Sequence, residues 1–509
     1  MNQASLSDVA VHLHPQDDIA VAKVDLPPGT ALAVGPLHGF PNCLTVRQSI
    51  PGGHKVALRD IAAGQPVHRY GQVIGLARRA IQAGDHVHIH NLGVEEMDRD
   101  PAFGADARSV RTAPEGERRT FLGYRRADGR VGTRNYVAVL STVNCSAHAA
   151  REIAHHFTPE HLAAFPHIDG VVAVTHPYGC PTEQILLQRT LAGLARHPNV
   201  GACLLVGLGC ETNQAAALAE RYGLHDTPRF VIQEMGGLRP TIQAGIAAVE
   251  ALLSAAGAAR RTPQPISELA LALQCGGSDS WSGVTANPLV GLVTDEVVRQ
   301  GGTAVLAETP EIYGAEHLLT RRAASPEIGR ALLNQVRWWE QHARRMGFEL
   351  DDNRSAGNEA GGLTTIYEKS LGAVAKAGST PLQGVYDYAE PVVTRGLAFM
   401  NTPGFDPVSV TGQVAGGCNL VLFTTGRGSV LGFKPAPCLK ISTTSALCER
   451  MAGDIDFDAG RLLAGEEMAG LAAELLDLAI AIASGRPSKS EAQGVGEAEF
   501  APWNREGIL

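Results

Sequence analysis

The sequence predicts a multidomain α/β protein: a small β module at the N-terminus, then a two-part α/β region with mainly parallel sheets. Three observations lead there. At 509 residues the chain is long enough for about three domains of ~150 residues each. Its N-terminal part, up to residue 94, holds short apolar segments separated by Gly-containing turns, the pattern of short strands. Beyond residue 120, continuous apolar runs of strand length alternate with helix-like stretches. That is the rhythm of a parallel sheet covered on both faces.

Composition narrows the class. Apolar residues make up 44% and charged residues 19%, with 57 Gly, so the chain can bury a large core and is not disordered. A net charge of −9 argues against nucleic acid or a membrane surface as partner. No apolar run approaches the ~18–20 residues of a spanning helix; the best candidate, Leu471 to Ser484, carries Glu474 and Asp477. The segment MNQASLSDVAVHLHPQDD lacks a basic region followed by an apolar stretch, so no secretory signal is expected. Nine cysteines, odd and sparse, do not suit a disulfide framework. A cytoplasmic enzyme acting on a small molecule, as a homo-oligomer (a dimer), is the expectation.

The elements follow in order. Residues 1–94 form the β module, with strands over Ile19–Val24, Val56–Leu58, Val73–Leu76 and Val87–Ile89 and turns at Gly29, Gly64 and Gly84. Residues 95–119 contain twelve charged residues in twenty-five and read as a linker. The first α/β unit, 120–260, has strands at Val137–Val143, Val171–Thr175 and Ala202–Val206, the first followed by a helix at Ala147–Phe157. The second, 261–509, has strands at Leu269–Gln274, Thr303–Ala307, Ala398–Asn401 and Leu420–Thr425. Asn287-Pro288 starts a helix that Gly301 stops, Asp351–Gly362 is a polar loop, and Ala464–Ser484 is an amphipathic helix.

Cys145, Cys180, Cys210 and Cys275 each fall just past the carboxyl end of a predicted parallel strand. Ligands bind at that edge in open α/β sheets, and thiolates select iron, zinc or an iron–sulfur cluster. These four are the candidate metal ligands, with Glu211, His86 and His88 as alternatives. On a strand, His86, His88 and His90 of HVHIHN would project from one face. GLGCETN lacks the third Gly of a dinucleotide loop, so NAD is not expected; PLP is not expected either. TGRGS, with Arg427, suits a carboxylate. Arg125, Arg130 and Arg134 concentrate positive charge for an acidic substrate in a chain of net −9.

The chain also resembles the altronate/galactarate dehydratase family over nearly its whole length. The resemblance rests on GHKVALRDIAAG (53–64), HVHIHN (86–91), GYRRADGRVGTRN (123–135), HPYGC (176–180), VGLGCE (206–211), QCGGSDSWSGVTANP (274–288), ETPEIYGAEHLL (308–319), EKSLGAVAKAG (368–378) and FTTGRGS (423–429). It implies an N-terminal β-clip module of the SAF type, a two-part catalytic region, and loss of water from a sugar acid to give a 2-keto-3-deoxy acid. It also implies a divalent metal, Fe2+ first, with Mn2+ or an iron–sulfur cluster as alternatives. HVHIHN and FDAGRLLAG (457–465) resemble the altronate branch; Glu359, where many relatives carry Lys, departs from the pattern.

Dehydration of a 2,3-dihydroxy acid needs a base for the C2 proton, an acid for the 3-hydroxyl and an electrophile for the carboxylate. His54, Lys55 and His176 are the candidate proton carriers; Ser278, Asp279, Arg125, Arg130, Arg134 and Arg427 are the candidate substrate contacts. Galactarate dehydration, carbon–sulfur cleavage of sulfolactate, and a non-enzymatic carbohydrate-binding role are the competing readings.

Overall fold

The computed structural model describes residues 3–35, 40–95, 100–180 and 184–505. In the N-terminal module, β1 (Ala10–Val11), β2 (Ile19–Ala22), β3 (Lys55–Ala57), β4 (Pro66–Arg69), β5 (Gln72–Ala77) and β6 (His86–Val87) are short. Strands β1-β2-β3-β6 form one antiparallel sheet, and β4 pairs with β5 in a hairpin. Strand β2 is buried along its whole length, because sheet and hairpin close over a core that includes Ile19, Val67, Ile74 and Val87. At the hairpin, Gly71 has φ 66, the left-handed conformation that a tight turn requires.

Of the expected linker, residues 96–99 lie outside the described residues. From residue 100 the segment runs over the second α/β unit. Gly104 N donates to Thr320 O at 3.0 Å, Asp106 pairs with Arg321 at 2.6 Å and Ala113 N donates to Arg299 O at 2.7 Å.

The Arg-rich motif folds as a hairpin, β7 (Thr120–Arg125) with β8 (Val131–Gly132). The first α/β unit then supplies β9 (Tyr136–Ser141), α1 (Asn144–His155), β10 (Gly170–Val174), α2 (Ile185–Ala195), β11 (Val200–Gly207), β12 (Arg229–Val231) and α3 (Leu238–Ala256). Its sheet is parallel, in the order β10-β9-β11-β12. At the expected boundary between the units, after residue 260, the chain forms a strand, β13 (Thr262–Pro265), paired antiparallel with β7.

The last unit holds β14 (Ala270–Cys275), α4 (Ala286–Arg299), β15 (Thr303–Leu306), α5 (Pro326–Met346), α6 (Ile366–Val374), β16 (Leu382–Tyr386), β17 (Gly396–Met400), α7 (Asp406–Ala415), β18 (Leu420–Thr425), β19 (Cys438–Ser442), β20 (Phe457–Asp458) and α8 (Met468–Ala483). Its seven strands are parallel in the order β16-β17-β15-β14-β18-β19-β20. Strands β15, β17 and β18 are buried throughout, which is why they read as unbroken apolar runs. The expected α/β class with mainly parallel sheets is therefore observed. Among the described residues, no helix is long and apolar enough to cross a membrane.

Candidate metal centre and active site

Two residues after Gly52, the module turns into β3 and places His54 beside β6. Lys55 pairs with Val87 and Val56 with His86, so one further step of the register brings His54 opposite His88. His54 Nδ1 lies 3.0 Å from His86 Nε2. The ring centroids are 5.0 Å apart for His54–His86, 4.9 Å for His54–His88 and 5.2 Å for His86–His88. One nitrogen from each ring lies within 4.8 Å of those of the other two.

The HVHIHN segment does not run as the expected strand. It leaves the sheet after Val87, because His88 N donates to Asn91 Oδ1 and Asn91 Nδ2 donates to His86 O, both at 2.9 Å. This side-chain turn leaves His90 exposed and gives His54 the third place in the cluster.

Burial and neighbouring rings push His86 down to about 3 and, with Lys55, push His88 down to about 4; burial also lowers His54. The imidazoles are neutral at neutral pH, the form that ligates metal. His88 Nδ1 is buried without a hydrogen-bond partner. Three neutral imidazoles, one of them with an unpartnered nitrogen, fit a divalent cation with open positions, for which imidazole suits iron and zinc.

This cluster sits on the seam between module and last unit. His54 Nε2 is 3.3 Å from Ala360 O. Next to it, Lys55 Nζ is 2.7 Å from a Glu368 carboxylate oxygen, 3.5 Å from Ser280 Oγ, and donates to Gly362 O. Arg69 of β4 pairs with the same Glu368 oxygen and donates to Ser280 O at 2.7 Å. Lys55, Arg69 and Glu368 are all fully buried. Burial opposes charge on Glu368, yet the two cations hold it down to about 2. Burial brings Lys55 down to about 8 against the pull of Glu368, with Arg69 adding to the shift.

Several expected contacts have other work. Arg134 is buried, makes a two-pronged pair with Glu491 at 2.7 and 2.8 Å and donates to Thr133 O and Ile482 O. Arg130 turns back onto Asp128 at 2.5 Å, and Arg125 donates to Gln264 at 3.1 Å. The arginine-rich motif closes its own hairpin and ties it to neighbouring elements. Asp279 Oδ1 accepts from Trp281 N, Ser282 N and Ser282 Oγ, and its Oδ2 from Thr443 Oγ1. It staples the 278–282 loop, while Ser278 is buried with its carbonyl taken by Asn358. Arg427 is exposed beside the same loop, its N–H donating to Gly277 O at 2.8 Å.

The four cysteines do not share one sheet. Cys145, Cys180 and Cys210 follow β9, β10 and β11 and are exposed; Cys275 ends β14 in the seven-stranded sheet and is buried. Each unit presents its own carboxyl edge, a division that strand-end position alone does not reveal. Among the described residues, Cys275 gathers with Glu308 and Glu311 within 4.8 Å, and no comparable group contains the other three thiols. Glu211 accepts from Leu208 N, Gly209 N and Thr142 Oγ1 at 3.1, 2.6 and 2.8 Å, so its carboxylate is occupied as a loop staple. His176 follows β10, far in topology from His54 and Lys55. Burial pushes it down to about 4, and it lines a cavity of about 500 Å³ with Asn144, Arg151 and Glu497. Glu368, Arg69, Glu308, Glu311 and Lys376 are buried ionisable groups that no sequence motif singles out. Lys376 within GAVAKAG is the one visible sign, a lone cation among small apolar residues.

Three family models match in chain order. They are the altronate/galactarate dehydratase SAF domain over residues 8–95, the second domain of D-galactarate dehydratase/altronate hydrolase over 123–257, and the C-terminal domain of D-galactarate/altronate dehydratase over 266–507. Altronate dehydratase of Escherichia coli (strain K12) is 39% identical over 485 residues, 94% of this chain and 96% of that one. The chain belongs to the altronate/galactarate dehydratase family. These relatives are hydro-lyases, and the seam with three histidines joins the family's SAF domain to its C-terminal domain. Galactarate dehydratase (L-threo-forming) of the same organism is 33% identical over 475 residues, 90% of this chain and 89% of that one. In Chromohalobacter salexigens, (2R)-sulfolactate sulfo-lyase subunit beta is 34% identical over 387 residues, 74% of this chain and 95% of its own length. A separate subunit alpha matches 47 residues at 45% identity, 9% of this chain and 50% of that one.

Proposed function

We propose that the chain removes water from D-altronate to give 2-keto-3-deoxy-D-gluconate, using Fe2+ held by His54, His86 and His88. The observation that carries this reading is the neutral three-histidine cluster set against the C-terminal domain. The higher identity to altronate than to galactarate dehydratase favours the substrate. When bound, a divalent cation supplies the electrophile that stabilises the charge developing on the substrate carboxylate.

The chain's own residues supply the rest. Lys55 takes the C2 proton at Nζ and, as the ammonium, returns it to the departing 3-hydroxyl, which leaves as water; its pKa of about 8 places a useful fraction of free amine at working pH. Glu368 and Arg69 position it, and Arg69 keeps the carboxylate ionised when Lys55 is neutral. Arg427, exposed at the edge of the 277–280 loop, donates hydrogen bonds to the hydroxyls at the distal end of the sugar acid. His54 is a ligand in this reading, not a proton carrier. His176, on the other sheet edge, has no part in the proton transfer.

The test combines an anaerobic ferrous assay of 2-keto acid formation over aldonic and aldaric acids with metal analysis of His86→Ala and His88→Ala. Altronate turnover together with metal loss in both variants is expected. Turnover of galactarate or sulfolactate without altronate would overturn the substrate, and full metal content in both variants would overturn the ligands.

A further inference from the structure

The carboxyl edge of the seven-stranded sheet holds a second group of donors. Adjacent strands β14, β15 and β17 lead into Cys275, the Glu308–Glu311 turn and Asp406, the first residue of α7. Cys275 Sγ lies 3.4 Å from Glu311 Oε2 and 2.7 Å from Lys376 Nζ, and Lys369 Nζ lies 2.8 Å from Glu311 Oε1. Asp406 rests against the same loop: a Cβ on Gly276 would come within 2.3 Å of its Oδ2.

Glu308 is the informative residue. It is fully buried, and neither carboxylate oxygen has a hydrogen-bond partner. Its backbone takes φ 69, a left-handed conformation that costs a residue with a side chain of this size. The fold therefore strains the chain to aim an unsatisfied carboxylate at a thiol and a second carboxylate.

We propose that Cys275, Glu308 and Glu311 form a second divalent-cation site, separate from the three histidines and beyond the reading given above. Charge points the same way. With every acid ionised, Cys275, Glu308, Glu311 and Asp406 carry −4 and Lys369 and Lys376 carry +2. The shortfall is two positive charges in a low-dielectric interior, which one divalent ion closes. Without an ion, protons must fill the gap. Burial accordingly raises Glu308 well above the carboxylate range, Asp406 to about 7 and the Cys275 thiol to about 12. A thiolate with two carboxylates selects a borderline ion such as Zn2+, Fe2+ or Co2+ over Mg2+ or Ca2+.

The test is titration of chelator-stripped full-length protein with Co2+, read by equilibrium metal counting and by the near-ultraviolet thiolate-to-cobalt charge-transfer band. Two equivalents and a band are expected. Cys275→Ser should abolish the band and leave one equivalent; His86→Ala should keep the band and lose the other. Glu308→Gln, which keeps the thiol, should weaken the band-forming equivalent at least tenfold and covers the case in which the serine variant does not fold. No band in the parent protein, a band surviving Cys275→Ser, or unchanged affinity in Glu308→Gln would overturn the proposal. Failure of the histidine site alone would instead leave one equivalent with the band intact.

Discussion

Glu368→Gln isolates the electrostatic join between module and catalytic region. The substitution keeps size and shape but leaves Lys55 and Arg69, both fully buried, sharing a neutral amide. Removing one partner of a buried ion pair costs ~3–5 kcal/mol. The shift of Glu368 gives a second figure: from an ordinary 4.5 down to about 2, or ~3 kcal/mol at 1.36 kcal/mol per unit. A carboxylate depressed by folding contributes stability that is complete above its unfolded pKa and lost as pH falls through the folded one. The contribution is thus present above pH about 4.5 and disappears toward about 2. Denaturant unfolding at pH 7, with hydrogen exchange on β3 and β4, should show the variant weaker by about 3 kcal/mol, the loss confined to the seam. The difference between parent and variant should shrink as the pH is lowered below 4.5. A loss below ~1 kcal/mol, or one independent of pH in that window, would refute the assignment of the join to this triad.

Three further outcomes are expected. Cutting the chain within the linker, as fragments 1–97 and 98–509, should abolish turnover in either piece and restore it on mixing; inactivity of the mixed, folded fragments would count against a shared site. Ser in place of Cys145, Cys180 and Cys210 together should leave bound metal unchanged, and loss of an equivalent by mass spectrometry would return those thiols to the metal site. Arg134→Met should cost ~3 kcal/mol by breaking the buried Glu491 pair with the KM for altronate unchanged; a raised KM at unchanged stability would make Arg134 a substrate contact after all.

What sequence reading can and cannot see divides along range. Leu420–Thr425 and Thr303–Leu306 are buried on both faces, so local composition reports them directly. Helix α4 carries Asn287-Pro288 in its first turn and stops ahead of Gly301 at φ 87, signals contained within the segment itself. Partnership across the chain leaves no such trace. Nothing near Arg134 announces Glu491, 357 residues away, so a structural arginine reads locally as a substrate contact. The cysteines divide between two sheets for the same reason: each strand end is local, but membership of a sheet is not. HVHIHN was legible as a candidate ligand segment, yet the Asn91 turn that drops His90 depends on one side chain competing with the strand.

The segment laid over the last unit has a thermodynamic meaning. Between Thr320 and Arg299 it is held by contacts to the very domain that receives the module. A short tether of this sort sets an effective concentration of about 1 mM. An interface that would show a Kd of ~1 μM between free partners then stays closed about 99.9% of the time. Assembly of the histidine cluster against the 360 loop is thereby freed from dilution and expression level, unlike a site divided between two gene products. The seam need not be tight to be populated, and its residues can be spent on letting substrate in and product out.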